Sequence, residues 1–564
     1  MLAEIMSRIN FACHPPRSAI LSMALGLCVA TQAQSYDAVP TLNAQAIYAH
    51  SEFLSSDLLE GRATGSRGYE LAAAYVASQF RQYGLIPISE LRGDKSDGGY
   101  LQAVPLIEAT VVLPGSSASL RRDGTTVNFE FSRDYLPSAN FFNANSALTA
   151  PLVFAGYGID APELKYNDFA DLDLQGRIAV ILKGTPERFS REARSYYGWQ
   201  DTKYEALVKQ GALGVIEIDN RDRKDNDGAN RWERAVAMSW VSEMRRINSD
   251  DLPNERFAEL KLKFRFSADA AAQLFGNGHS FEQVLQAAKN GDVQGFALPG
   301  VMNLSATTGL RRVESNNVLG VVRGADPHLQ DEYVLVTANL DHLGRGAGVG
   351  GDTIYNGFQH NAVGVAMLLD MARSIASMPD RPRRSILFAA VTAGDKGAQG
   401  LEYLLNDGPI ATRNIVAGVS LDMPLPITRT RDVLAAGADQ SSIGPLLVNS
   451  AQQMNLRVVH ADEPYYSILE DALAPMVRAN IPVLSLHGGL RARGSRIDVR
   501  AMRQEWLQLH LNQPSDDART MPLNAVAARE LAAVNVLTVL QLANAPERPV
   551  WYRSSLIHRK LSQD

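Results

Sequence analysis

The chain has 564 residues, of which 55 are basic and 61 acidic, with a formal charge of −6 and a sequence pI near 6.0. Folded units rarely exceed about 250 residues, so this length excludes a single compact core and predicts two or three units. The balanced charge excludes the overall basic excess that would favour nucleic acid or an anionic membrane as partner, and the composition is globular.

At the start, basic Arg17, the apolar residues 19–30 and the small residues Thr31 and Ala33 read as an export signal cleaved near Ala33. Residues 1–33 are thus expected to be a signal peptide, and the mature chain periplasmic or extracellular. The run is shorter than the roughly 20 residues of a spanning helix, and no later segment reads as long and apolar enough to replace it, so no membrane span is expected. Lipidation at Cys28 is disfavoured because the preceding Leu25-Gly26-Leu27 puts a bulky residue where a small one is usual. Both cysteines, Cys13 and Cys28, precede the cleavage point, which leaves the mature chain without a disulfide.

Residues 34–145 contain an amphipathic helix that ends at Gly84, a residue suited to a left-handed cap. Between 146 and 300 the texture changes: strands at APLVFAGYG, GRIAVILKG and GVIEIDN, a helix at TKYEALVKQGAL, and a charged loop from Asp219 to Arg234 read as a solvated turn. This stretch reads as an inserted domain of mixed sheet and helix. Tyr196, Tyr197 and Trp199 within it suit either a peptide-contacting cluster or a buried interface. From Asn317 strands alternate with helices (NVLGVVRG, YVLVTANL, a helix over NAVGVAMLLDMARSIASM, RSILFAAVTAG, NIVAGVSLDM, IPVLSL), and a closing helix spans about 523–542. Continuous apolar strands between helices imply an α/β domain over 301–545 whose sheet is covered on both faces, followed by a tail, 546–564.

In such sheets ligands sit beyond the carboxyl ends of the strands. Those ends carry Asn339, Asp341 and His342, then Gly394 and Asp395, then Asp422, then His487; two loops add His360 with Asn361, and His510 with Asn512. Carboxylates and histidines at one sheet edge point to a metal or acid–base site. Helix caps and turns use the same residue types, and His342, His487 and His510 each also fit a hydrogen-bonded structural histidine. There is no G-x-S-x-G, Walker loop, H-E-x-x-H or paired C-x-x-C, which removes support for serine hydrolase, nucleotide hydrolase and H-E-x-x-H zinc protease chemistry.

The segments LSSDLLEGRATGSRGYELAAAYVASQF, PLVFAGYGIDAPE, YNDFADLDLQGRIAVIL, GDTIYNGFQHNAVG, RPRRSILFAAVTAGDKG and LDMP resemble the secreted zinc aminopeptidases of metallopeptidase family 28, in the branch with an inserted protease-associated domain. The resemblance implies a zinc-exopeptidase (phosphorylase/hydrolase-like) mixed sheet with an inserted protease-associated α+β domain over 146–300. It also implies a pair of zinc ions that activates water. The family's A-H-x-D-H motif falls on Ala338–His342, so its first ligand is Asn339 and its orienting aspartate is Asp341. The bridging aspartate falls on His360, the general base on Gly394, the glutamate ligand on Asp395, a further ligand on Asp422 and the last histidine on Asn512. A serine-aspartate-histidine segment of the family falls near Asp471.

Amide oxygen is a poor zinc ligand beside imidazole and carboxylate, and a neutral imidazole does not bridge two zincs. The resemblance therefore implies at most one zinc ion and a non-catalytic or strongly impaired protein whose cleft takes a peptide or protein ligand. Members of this fold that lost their metals and serve in recognition are known. The alternative is an aminopeptidase with a rebuilt single-metal site of His360, Asp395 and Asp422, helped by His342, Asp341 or His510.

Overall fold

The computed structural model describes residues 41–91, 99–219, 231–276, 278–291, 293–460, 467–469, 472–494 and 496–561. The expected signal peptide with Cys28, most of the charged loop after Asp219, and Asp471 lie outside the described residues.

Asn43 caps α1 (Ala44–Leu54) and Ser66 caps α2 (Arg67–Gln82), each side-chain oxygen accepting backbone N–H groups of the first turn. Gly84, at φ 73°, closes α2 in the left-handed region, as its sequence predicted. The strands that follow are β1 (Leu101–Arg122), β2 (Asn145–Phe154), β3 (Ile178–Leu182), β4 (Gly214–Ile218), β5 (Glu243–Arg246), β6 (Leu262–Phe266) and β7 (Phe296–Val322). Next come β8 (Tyr333–Asn339), β9 (Ser385–Val391), β10 (Ile415–Ser420), β11 (Asp432–Ala436), β12 (Arg457–His460) and β13 (Val483–Gly488). Among the described residues sixteen strands form one mixed sheet, with the core order β12-β11-β13-β10-β8-β9-β7-β2-β3-β4-β6.

The uninterrupted apolar runs are the strands buried on both faces: every residue of β8, β9, β10 and β13 is buried. β8 runs parallel to both β9 and β10, and β10 parallel to β13, so their carboxyl ends emerge at one edge. Two helices that are apolar nearly all round cover this part, α3 (Val363–Ala376) and α4 (Ala525–Asn544). The stretch 146–300 continues the sheet through β7, which is antiparallel to both β9 and β2.

Three expectations change here, and one open alternative is decided. Helix α4, with a mean hydropathy of 1.4 over its best window, is long and apolar enough to cross a membrane, contrary to the reading of the sequence; 72% of that window is buried, and α4 packs on the sheet as a core helix. The end of the loop read as a solvated turn is helical over Arg231–Ala237, anchored where the Trp232 indole N–H donates to Ser132 O at 3.0 Å. Tyr196 and Tyr197 are buried with Phe189, and Trp199 carries the Arg478 guanidinium 5.4 Å above its ring, so this aromatic group is internal packing. The residues read as a tail end in a packed helix, Leu556–Leu561, whose first N–H groups are accepted by Glu192.

Candidate functional site

The parallel strands deliver the predicted residues to one place. At the end of β8, the Asn339 amide nitrogen donates to Asp422 Oδ1, just past β10, at 3.2 Å. Beyond β9, Asp395 takes two histidines: its Oδ2 lies 2.7 Å from His342 Nδ1 and its Oδ1 3.4 Å from His360 Nε2. His360 Nε2 is also 3.9 Å from Asp422 Oδ1, and its Nδ1 is 3.2 Å from Asn512 Oδ1. Asn339, His342, His360, Asp395, Asp422 and Asn512 are therefore one cluster.

Both ring nitrogens of His360 face acceptor oxygens, which is the arrangement of a doubly protonated imidazolium. Burial pulls its pKa down, but the surrounding carboxylates of Asp395, Asp422 and Asp516 outweigh burial and hold it up at about 9. Asp395 shows the converse: burial alone raises its pKa, yet His360 and His342 hold it below the usual carboxylate range. His342 is wholly buried, and desolvation brings it down to about 4 in spite of Asp395. The centre is a part-buried ion pair of Asp395 and His360.

Gly394 has no room for a side chain. A Cβ built there lies 2.3 Å from Asn339 Cγ, so the asparagine fills the space into which a side chain at 394 points. The Gly394 N–H donates to Asp341 Oδ1 at 2.8 Å, and Thr64 Oγ1 donates to Asp341 Oδ2 at 2.9 Å. Asp341 thus holds a loop, and burial followed by repulsion from Asp395 raises its pKa. Asn361 is a fastener: its amide donates to Asn339 O at 3.3 Å and accepts from Met423 N at 3.0 Å.

Two candidates fall outside the cluster. His487 Nδ1 meets Met423 O at 2.9 Å and its Nε2 lies 3.2 Å from Ser485 Oγ, as a structural histidine whose pKa burial lowers to about 4. His510 Nδ1 meets Ser515 Oγ at 2.9 Å at the end of helix Val499–Leu509.

Three residues not singled out in the sequence hold the loops. Arg62, fully buried, donates to the carbonyls of Leu340, Leu54, Asn356 and Gly357, tying the β8 end to the loop that leads to His360. Asp516 accepts from Gln359 N at 3.0 Å and His360 N at 3.1 Å, fixing the imidazole from behind. Lys396 Nζ donates to Ser242 O at 2.9 Å, joining the loop after β9 to the 238–246 segment. The signal for Arg62 was an arginine next to a glycine at a turn, which reads as a surface residue until its burial is seen.

The arrangement does not fit a zinc pair. Among the five ligand positions, Asn339 points a donor at Asp422, Asn512 offers an amide, and a cation-forming imidazole stands where a bridging carboxylate is required. One smaller grouping is compatible with a single ion: one donor atom each of His342, His360 and Asp395 lie within 4.8 Å of one another. His342, a helper in the sequence reading, takes the place given there to Asp422.

Residues 317–537 match the family model of Peptidase family M28. This stretch is a peptidase family M28 domain. Transferrin receptor protein 2 of Rattus norvegicus is 32% identical over 172 residues, which is 28% of this chain and 18% of that protein. Transferrin receptor protein 1 of Gallus gallus is 32% identical over 136 residues, 23% of this chain and 15% of that protein. The chain thus spans less than a fifth of the length of these two relatives. Among solved structures, an aminopeptidase from Aneurinibacillus sp. strain AM-1 superposes with a TM-score of 0.50 at 17% identity, covering 90% of this chain and 95% of that one. The α/β zinc-exopeptidase fold expected from the M28 resemblance is therefore present.

Proposed function

We propose that this chain keeps the M28 scaffold without the family's catalysis and serves by binding a peptide or protein partner. The observation that carries this reading is that the side chains at the zinc positions bond to one another: Asn339 to Asp422, His360 to Asn512, and both His360 and His342 to Asp395. With Gly394 at the base position, no side chain there can activate water, and an acid–base group typically contributes about 10²- to 10⁴-fold in rate. The similarity to transferrin receptors, proteins named for reception, supports a recognition role. Arg17 and the apolar residues 19–30 support export to the periplasm or the extracellular space.

The test is turnover of aminoacyl anilides and dipeptides by the purified chain with added zinc, alongside a binding assay against a peptide library. No turnover with saturable peptide binding supports the reading; turnover at rates set by zinc loading overturns it.

A second reading rests on the compact His342, His360 and Asp395 grouping, which offers the three ligands that suffice for one zinc with an open position. It predicts that His360→Ala and Asp395→Ala each abolish binding of a single ion. Retention of the ion by both variants removes it.

A further inference from the structure

Arg429 to Arg431 run antiparallel to Arg491 to Arg493. Thr430 pairs with Ala492, Arg431 N donates to Arg491 O at 2.8 Å, and Arg493 N donates to Arg429 O at 2.8 Å. Side chains alternate between the faces of such a ribbon, so the residues flanking the Thr430–Ala492 pair share the opposite face. Arg429 therefore stands across from Arg493, and Arg431 across from Arg491, placing four arginines on one face. Arg457, whose N–H donates to Arg431 O at 3.0 Å, stands across from Asp432 and so lies on the other face.

Like charges directly opposite one another are destabilising. Contacts within the fold account for two of the four arginines. Glu530 Oε1 accepts from Arg429 Nε at 2.9 Å and Nη2 at 2.5 Å, and Arg493 Nη2 donates to Asn455 O at 3.1 Å. Arg431, Arg457 and Arg491 are exposed, and among the described residues they form no ion pair. Beside them, β12 is the last strand in the sheet order and among the described residues pairs only with β11.

We propose that this arginine ribbon and the adjoining β12 edge dock an extended acidic segment of a partner protein. Its Asp or Glu carboxylates take the guanidinium forks of Arg431 and Arg491, and its backbone follows the strand edge. The one position already filled shows the chemistry, because Arg429 holds a carboxylate. Single-stranded nucleic acid binds on aromatic stacking platforms, and residues 429–431, 457 and 490–500 contain no aromatic side chain. A bilayer surface requires an apolar face, and Ile497 is the exposed large aliphatic residue among these segments. The chain's net charge of −6 makes the patch a local reversal that composition does not reveal. The bonds of Arg429 and Arg493 go to Glu530 and Asn455 and not to the strand-end cluster, so the proposal stands whether or not the proposed loss of catalysis holds.

The experiment uses the full chain and a fluorescent Glu-rich peptide of about a dozen residues, read by anisotropy at low and raised salt. Binding is expected to saturate and to weaken with salt. The double variant Arg431→Ala, Arg491→Ala is expected to bind roughly tenfold more weakly, about what two exposed ion pairs contribute. Its Tm is expected to stay or rise, because the variant removes opposed like charges. Undiminished binding by the double variant, absence of peptide binding by the parent chain, or tighter binding of phosphatidylglycerol vesicles or a single-stranded oligonucleotide than of the peptide overturns the proposal.

Discussion

The loops around the strand-end cluster and the cluster itself differ in kind. The loops are held by buried groups that bond several partners each: Arg62 on four carbonyls, Asp516 on two consecutive N–H groups, Asp341 between Gly394 and Thr64. The cluster carries Asn339, His360 and Asn512 at three of the ligand positions that the family resemblance implies, and Gly394 at the implied base position. The contrast teaches that positioning and chemistry are separable here, because the scaffold draws its stability from backbone contacts that need no metal.

The largest effect should come from the loops. Arg62→Met leaves buried carbonyls without donors, each worth about 1–3 kcal/mol, so denaturant unfolding should show a loss of about 3 kcal/mol or more. A near-neutral result would mean that the loops are not what holds the site in shape. Asp516→Asn turns an amide N–H toward one of two backbone donors and should cost about 1–3 kcal/mol in the same measurement, with His360 exchange broadening visible by NMR.

At the cluster, Gly394→Ala should cost about 1–3 kcal/mol by overpacking against Asn339, and most of that cost should vanish in the background of Asn339→Ala. Equal costs in both backgrounds would break the claim that Asn339 fills the space of the base. A smaller effect is the pH dependence from His360. Its folded pKa of about 9 lies above the ordinary 6.5, so its stabilising contribution is complete below about pH 6.5 and is lost as pH rises through about 9. The stability difference between the parent chain and His360→Gln should therefore shrink between about pH 7 and pH 10.

Much of this was legible in the sequence. Apolar runs with no polar interruption announced β8, β9, β10 and β13, and the polar residues just after them announced the site, because parallel strands end on the same side. What the linear pattern did not carry was where a side chain is buried. Arg62, Lys396 and Asp516 were not singled out, because their local pattern does not report the distant carbonyls and N–H groups that they bond. His487 and His510 share the residue type of a ligand, but local partners at Met423 O and Ser515 Oγ claim them. The clash at Gly394 also depends on a neighbour 55 positions away in sequence, which no local pattern reports. The charge balance, averaged over the chain, concealed the arginine ribbon.

The claim that the strand-end cluster is closed on itself and excludes a zinc pair is tested most directly by zinc stoichiometry. The parent chain should be compared with the variant carrying Asn339→His, His360→Asp, Gly394→Glu, Asp395→Glu and Asn512→His together, each dialysed against zinc and counted by elemental analysis. The account predicts no more than one zinc per parent chain and a gain toward two in the restored variant; two zinc ions retained by the parent chain would contradict it.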